Sequence, residues 1–303
     1  MKQKELFRLL DNIQEQGPET ELHERILFID GLNLFFRNFA VLNMVNPQGV
    51  HVGGLGGFFR SLGAMIRQMN PTQVYVIFDG AGSANNRKNI MPEYKSGRDL
   101  QRITNWDAFD DKDDEDDAKV DQMVRIIQYL KTLPVKTISI PKVEADDVIA
   151  YLSKSVITHP KDKSFIVSSD KDFLQLVSDN VIVYRPMEKE YYTSKTVIDK
   201  YKISPHNFIL HKTLLNKMSD HVIYARIIHG RDDLEKNYKI MDLSNPMLSK
   251  EDKEGLDEVV SSKDLPYYPD QFVSMYNEDQ IGGLIRNLEF WVKDCFENLV
   301  IKK

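Results

Sequence analysis

Three short, β-rich apolar runs end in an aspartate: RILFID at Asp30, TQVYVIFD at Asp79 and SFIVSSD at Asp170. Together with TISI and VIVYRP they alternate with longer stretches of helical character, among them VEADDVIAYLSKSV. This alternation is the strongest constraint on the fold, because short strands separated by helices build a mostly parallel sheet covered by helices on both faces. The expected class is therefore α/β, a mostly parallel central sheet joined to a mainly helical C-terminal region. The last part follows from SKTVIDKYKISPHNFILHKTLL and QIGGLIRNLEFWVKDCFENLV, which carry amphipathic helical patterns. In such sheets the ligand site lies beyond the carboxyl ends of the strands. The three aspartates stand at those ends.

A chain of 303 residues can hold one large core or two smaller ones. Leu6, Phe7, Leu9, Leu10 and Ile13 recur at helical spacing before a Gly17-Pro18 break, which marks residues 1–22 as an N-terminal helical arm. Residues 23–193 then form the α/β core, with a basic segment at 83–125, and residues 194–303 form the helical remainder. Within that remainder, the polar stretch from Gly230 to Asp270, with Pro246, Pro266 and Pro269, carries no readable periodicity. The single cysteine, Cys295, cannot form an internal disulfide. No apolar run approaches the ~18 residues of a membrane span, and Met1 to Gln16 carries charges where a signal peptide needs an apolar centre. A cytoplasmic protein is expected, with no membrane partner.

Net charge points away from nucleic acid until it is read by segment. The chain has 40 basic and 46 acidic residues, a balance of −6. The run DAFDDKDDEDD from Asp107 to Asp117 holds eight acids and one lysine, and the rest of the chain has 39 basic against 38 acidic residues. Like-charge runs repel themselves, so this one is expected to be a solvated, mobile loop.

The carboxylates at the strand ends carry the chemistry. Glu144, Asp146 and Asp147 join Asp30, Asp79 and Asp170 from the start of the helix after TISI, and Asp172 follows two residues after Asp170. Isolated acids in these places would serve as turn residues or helix caps. Seven converging carboxylates could not all stay ionised without cations, because like charges at short range raise one another's pKa. An all-oxygen donor set with no histidine or cysteine cluster suits Mg²⁺, with Mn²⁺ able to substitute, better than zinc. Two such ions roughly 3.5–4 Å apart would activate water and stabilise the leaving oxygen of a phosphodiester. The segment GAGSANNRKNIMPEYKSGRDLQR follows Asp79 directly and supplies Arg87, Lys88, Lys95, Arg98 and Arg102 as phosphate contacts, with Tyr94 able to stack on an unpaired base. On its own such a segment could equally be a solvated basic helix. HVGGLGGFF is not a dinucleotide fingerprint, since Phe59 occupies its third glycine position, and neither a triphosphate-binding GxxxxGK[ST] loop nor a GxSxG elbow is present.

FIDGLNLFFRNF, VIFDG with NNRKNIMPEYKSGRD, VEADDVIA and SSDKDF resemble, in order and spacing, the motifs of the 5′-nuclease (flap endonuclease) superfamily. The likeness runs from about Ile26 to Tyr184. In length and helical second half the chain is most similar to the T-even-like phage ribonuclease H branch. The resemblance implies a PIN-like core and a metal-dependent 5′ to 3′ exonuclease and flap endonuclease that removes RNA primers. It assigns Asp30, Asp79, Glu144, Asp146 and Asp147 to the first metal cluster and its surroundings, and Asp170 and Asp172 to the bridge towards a second ion. Arg87 and Lys95 fall at the base of a helical arch, facing the scissile phosphate, with Tyr94 beside them. The acidic run falls in the arch or an adjoining flexible loop.

The family's GDxxDN-type motif and helix-hairpin-helix are not intact. IIHGRDDLEKN keeps Gly230, puts Arg231 at the first aspartate and offers Asp232 or Asp233; the preferred ligand is Asp233. LLNKMSDHV, the other register, puts Lys217 first and keeps Asp220. Expected partners are DNA and RNA/DNA hybrid with a 5′ flap or 5′ end, bound by a monomeric protein, with a single-strand-binding protein or clamp as a further candidate. Two other readings stay open: a structure-specific DNA-binding homologue whose second metal site has decayed, and a PIN-type ribonuclease. Such ribonucleases are shorter and lack the EYKSGR segment.

Overall fold

The computed structural model of the chain describes residues 23–96, 103–215, 230–262 and 265–301. The N-terminal arm 1–22, Arg98, Arg102, Lys217 and Asp220 lie outside the described residues.

Six strands form one sheet: β1 (Arg25–Asp30), β2 (Gln73–Ile77), β3 (Lys136–Ile138), β4 (Lys163–Val167), β5 (Val181–Arg185) and β6 (Glu190–Tyr192). Their order is β3-β2-β1-β4-β5-β6, and all neighbours are parallel except the antiparallel edge pair β5–β6. The helices are α1 (Gly31–Phe39), α2 (Gly53–Met69), α3 (Asn85–Ile90), α4 (Lys112–Leu130), α5 (Ala145–Ser155), α6 (Ser194–Tyr201), α7 (Phe208–Leu215), α8 (Arg231–Met241), α9 (Lys250–Ser261), α10 (Pro269–Glu278) and α11 (Leu288–Ile301). No described helix is long and apolar enough to cross a membrane.

Side chains alternate across each strand, and both faces are covered, so the strands read as nearly continuous apolar runs. Leu27 and Ile29 of β1, with Val74 and Val76 of β2, face a cluster that includes Phe35, Phe59 and Tyr129. Ile26, Phe28, Tyr75 and Ile77 face the opposite cluster, with Val148, Ile149 and Leu152 of α5. The first cluster also takes in Phe272, Tyr276, Trp291 and Phe296 of α10 and α11. A Cβ added to Gly63 would lie 2.3 Å from the Trp291 ring, so the last helices sit directly on α2. The C-terminal helices therefore share the core of the α/β sheet. The polar stretch that showed no periodicity supplies α8 and α9, and Ser249 caps α9 with a capping box to Asp252.

The acidic run corrects an expectation. Instead of a mobile loop it opens helix α4, with Asp111 accepting the N–H groups of Asp113 and Asp114 as N-cap. Asp113, Asp114 and Glu115 occupy the first turn, where negative charge meets the positive end of the helix dipole. Lys112 pairs with Asp116 and Lys119 with Glu115 at i,i+4 spacing. Glu115 is fully buried and accepts the N–H groups of Thr104 at 2.6 Å and Asn105 at 2.8 Å.

Candidate active site

The chain leaves β1 towards β2 and β3, then crosses back to β4 and β5, so the order reverses between β1 and β4. Crevices at such a switch point take ligands beyond the strand ends. Asp30 ends β1 there and caps α1 by accepting the Asn33 N–H at 3.0 Å. Its other oxygen accepts the Ser168 hydroxyl at 3.0 Å across the β1–β4 boundary. Ser168 in turn accepts the Asp170 N–H at 3.1 Å, and the Asn33 side chain accepts the Ser169 N–H at 3.0 Å. Asn33 and Ser168 thus hold Asp30 and Asp170 in one frame. Neither stood out in the sequence, although Asn33 lies three residues after Asp30 and Ser168 two before Asp170.

The backbone of both DG pairs approaches its neighbours too closely for a side chain. A Cβ on Gly31 would meet the Phe78 ring at 2.4 Å, and one on Gly80 would meet the Ile140 carbonyl oxygen at 1.6 Å. Asp79, beside Gly80, accepts the Ala145 N–H at 2.7 Å. That bond fixes the start of α5 against the end of β2, and Asp146 follows in the first turn of α5.

Asp30, Asp79, Asp146 and Asp170 feel one another. Burial pushes the Asp30 carboxyl from the usual 3.8 up to about 6, and the charges of Asp79 and Asp170 add to it against the Asn33 and Ser168 hydrogen bonds. Burial also raises Asp146 well above the carboxylate range, reinforced by Asp30, Asp170, Glu144 and Asp79. The donors are all hard oxygens and carry mutual repulsion that a divalent cation would relieve, so the set fits Mg²⁺ or Mn²⁺. Among the described residues no three of these acids bring ligand oxygens within 4.8 Å of one another.

The basic residues divide by burial. Arg87 lies 3% exposed and gives both terminal nitrogens to Asp147, at 2.7 and 3.2 Å, while its Nη1 also stands 3.0 Å from Glu144. Its Nε donates to the Ile240 carbonyl at 2.8 Å, at the end of α8. The Met247 N–H donates to Asp147 at 2.9 Å. Arg87, expected to face a phosphate, is thus turned inward as a clamp between α3, α5 and α8, and Asp147 is engaged by it. Lys95 and the Tyr94 hydroxyl reach Glu144 at 3.0 and 3.1 Å. Lys95 is part-exposed and has a left-handed backbone (φ 59°), an unusual state for a non-glycine residue. Lys88, on α3, is exposed. Burial, and then Glu144, push the Tyr94 phenol well above its usual pKa.

Asp172 is bonded to Lys212 of α7, a partner the sequence did not suggest. Burial and the neighbouring Asp170 raise its pKa, opposed by Lys212. Asp233, like Asp232, is exposed in the first turn of α8. A separate cavity of about 480 Å³, lined by Val50, Val52, Phe109, Asp117 and Arg125, lies against α4 and includes none of these acids.

The profile of the 5′-3′ exonuclease N-terminal, resolvase-like domain matches residues 25–202, more than half of the chain and the whole of the sheet. The chain belongs to the 5′-3′ exonuclease family. It is a nuclease of the 5′-nuclease superfamily by that membership. It is 28% identical over 267 residues to a 5′-3′ exonuclease of Aquifex aeolicus, covering 84% of this chain and 85% of that one. DNA polymerase I of Bacillus subtilis is 28% identical over 259 residues, but the match covers 80% of this chain and only 27% of the polymerase. A flap endonuclease of bacteriophage T5, solved as a pseudo-enzyme-product complex with DNA and metal ions, shares the fold. Its TM-score is 0.58 at 18% identity, over 85% of this chain and all of that one.

Proposed function

We propose that the chain is a Mg²⁺-dependent 5′-nuclease that hydrolyses phosphodiester bonds at 5′ ends and flap junctions of DNA and RNA/DNA, and that it removes RNA primers in phage-type DNA replication. The observation that carries this is the gathering of Asp30, Asp79, Asp146 and Asp170 beyond the strand ends at the switch point, where burial and mutual repulsion push Asp30 up to about 6. Two ions bound there would supply a hydroxide at neutral pH and stabilise the leaving oxygen.

The protein's own groups do the rest. Ser168 and Asn33 fix the two central aspartates, so that little reorganisation is needed when substrate arrives. Glu144 holds Lys95 and Tyr94 at the edge of the acids. From there the Lys95 ammonium can meet a phosphoryl oxygen as charge develops on it, and Tyr94 offers a ring face to an unpaired base. Arg87 acts through Glu144 and Asp147, as a positioning residue. Lys88 is exposed for backbone phosphate, and we extend that role to Arg98 and Arg102. Cytoplasmic action as a monomer, with a single-strand-binding protein or clamp as partner, belongs to the same proposal.

A second reading is favoured by the Asp172–Lys212 pair and the exposure of Asp233. In it the second ion is held weakly, and the chain binds flaps with little turnover. A labelled 5′-flap substrate separates the two: tight binding without product across Mg²⁺ and Mn²⁺ supports the second, and ready cleavage excludes it.

A further inference from the structure

The end of the sheet opposite the carboxylates gathers a different set of ligands. β1 and β4 pair in parallel with Arg25 beside Lys163, so the residues entering the two strands are neighbours. His23 lies on one side and the turn from Thr158 to Asp162 on the other. The His23 and His159 rings stack with centroids 5.0 Å apart and planes 13° from parallel. Ligand atoms of His23, His159 and Asp162 all lie within 4.8 Å of one another. The six residues of β1 at about 3.3 Å each put this group roughly 20 Å from the acids.

The turn holds the carboxylate rigidly. One Asp162 oxygen accepts the N–H groups of Thr158 and His159 at 3.0 and 2.8 Å and the Thr158 hydroxyl at 3.2 Å. The other accepts the Glu24 N–H at 3.0 Å. These bonds outweigh burial and hold Asp162 below the usual carboxylate range, anionic at neutral pH. His159 is exposed, and its Nδ1 accepts the Lys161 N–H at 3.1 Å. A metal at Nε2 would move the ring proton to Nδ1 and turn that one exposed bond over to water.

We propose that His23, His159 and Asp162 form a site for a borderline transition metal of the Zn²⁺ type, which clamps the chain entering β1 to the turn before β4. Two imidazoles and one carboxylate make a set that prefers Zn²⁺ to Mg²⁺, with water completing a tetrahedron. Tetrahedral ligands around Zn²⁺ stand about 3.3 Å apart, so small side-chain rotations close the present spacing.

The test uses the full chain in excess Mg²⁺, titrated with Zn²⁺ by calorimetry. The expected result is one Zn²⁺ site that survives Asp30→Asn and weakens by more than about a hundredfold in His159→Ala, beyond the loss of a supporting contact. Cu²⁺ loaded in place of Zn²⁺ should show nitrogen superhyperfine splitting in its electron paramagnetic resonance spectrum, reduced in both His159→Gln and His23→Gln. Unchanged Zn²⁺ uptake in His159→Ala, or a Cu²⁺ spectrum with oxygen ligands only, overturns the site. The exposed position of His159 leaves the fold of its variants intact, which circular dichroism verifies.

Discussion

At the scale of single residues, place alters the ordinary chemistry of the groups at the site. Asp30 titrates near 6 in the fold against 3.8 when free, chiefly through burial. Its ionised form is therefore less favourable folded than unfolded, so the native state loses stability as pH rises from about 4 to 6 and stays poorer above. That difference corresponds to about 3 kcal/mol. In EDTA at pH 7, Asp30→Asn should melt several degrees above the wild type, and Mg²⁺ should raise the wild-type midpoint more than the variant's. Calorimetry showing Asp30→Asn less stable in EDTA would contradict this. Lys95 and Arg87 should part company. Lys95→Ala should lower kcat on a flap substrate by about a hundredfold while leaving the melting temperature nearly unchanged. Arg87→Ala leaves Asp147 buried without its cation, while Glu144 keeps Lys95, and should cost about 3–5 kcal/mol in denaturant titration. Both cations lie in one basic segment, and nothing in a sequence says which way a cation on a six-residue helix points. The inward turn of Arg87 depends on Ile240, 153 positions away. The aspartates were legible because each closes an apolar run.

Among the elements, α4 shows how tertiary contacts override local repulsion. Read locally, eight acids in eleven residues should not hold a helix. What does so is the buried Glu115, which takes two N–H groups from the chain entering the helix, and the lysines at positions 112 and 119. Burial alone would raise the Glu115 pKa, but Lys119 and the Asn105 and Thr104 N–H groups hold it below 4.5. Its contribution is present above pH 4.5 and is lost as pH falls through its lower folded value. Glu115→Gln should therefore cost about 1–3 kcal/mol at pH 7, and its gap from the wild type should close in acid. A gap that widens as pH falls would count against this role. The parallel strands were readable because burial on both faces makes them continuous apolar runs. Helices α8 and α9 were not, since only Ile240 and Leu256 in them are buried, too few to set a visible period.

For the whole molecule, the sheet and its C-terminal helices form one unit. Trp291 packs on Gly63 within the cluster that holds Leu27 and Phe59, whereas Trp106 is exposed. Tryptophan fluorescence should therefore report the C-terminal helices and far-ultraviolet circular dichroism the whole fold, and the two should trace coincident denaturation curves. An earlier fluorescence transition would mean that α10 and α11 unfold alone. This unity places the reversal of strand order, and the acids beside it, on a rigid base. The most direct test of that arrangement as a catalytic centre is cleavage of a 5′-labelled flap substrate in Mg²⁺. The expected outcome is product with the wild type, none after EDTA, and a loss of at least about a hundredfold in Asp170→Asn. Cleavage that survives EDTA, or that Asp170→Asn leaves unchanged, would contradict it.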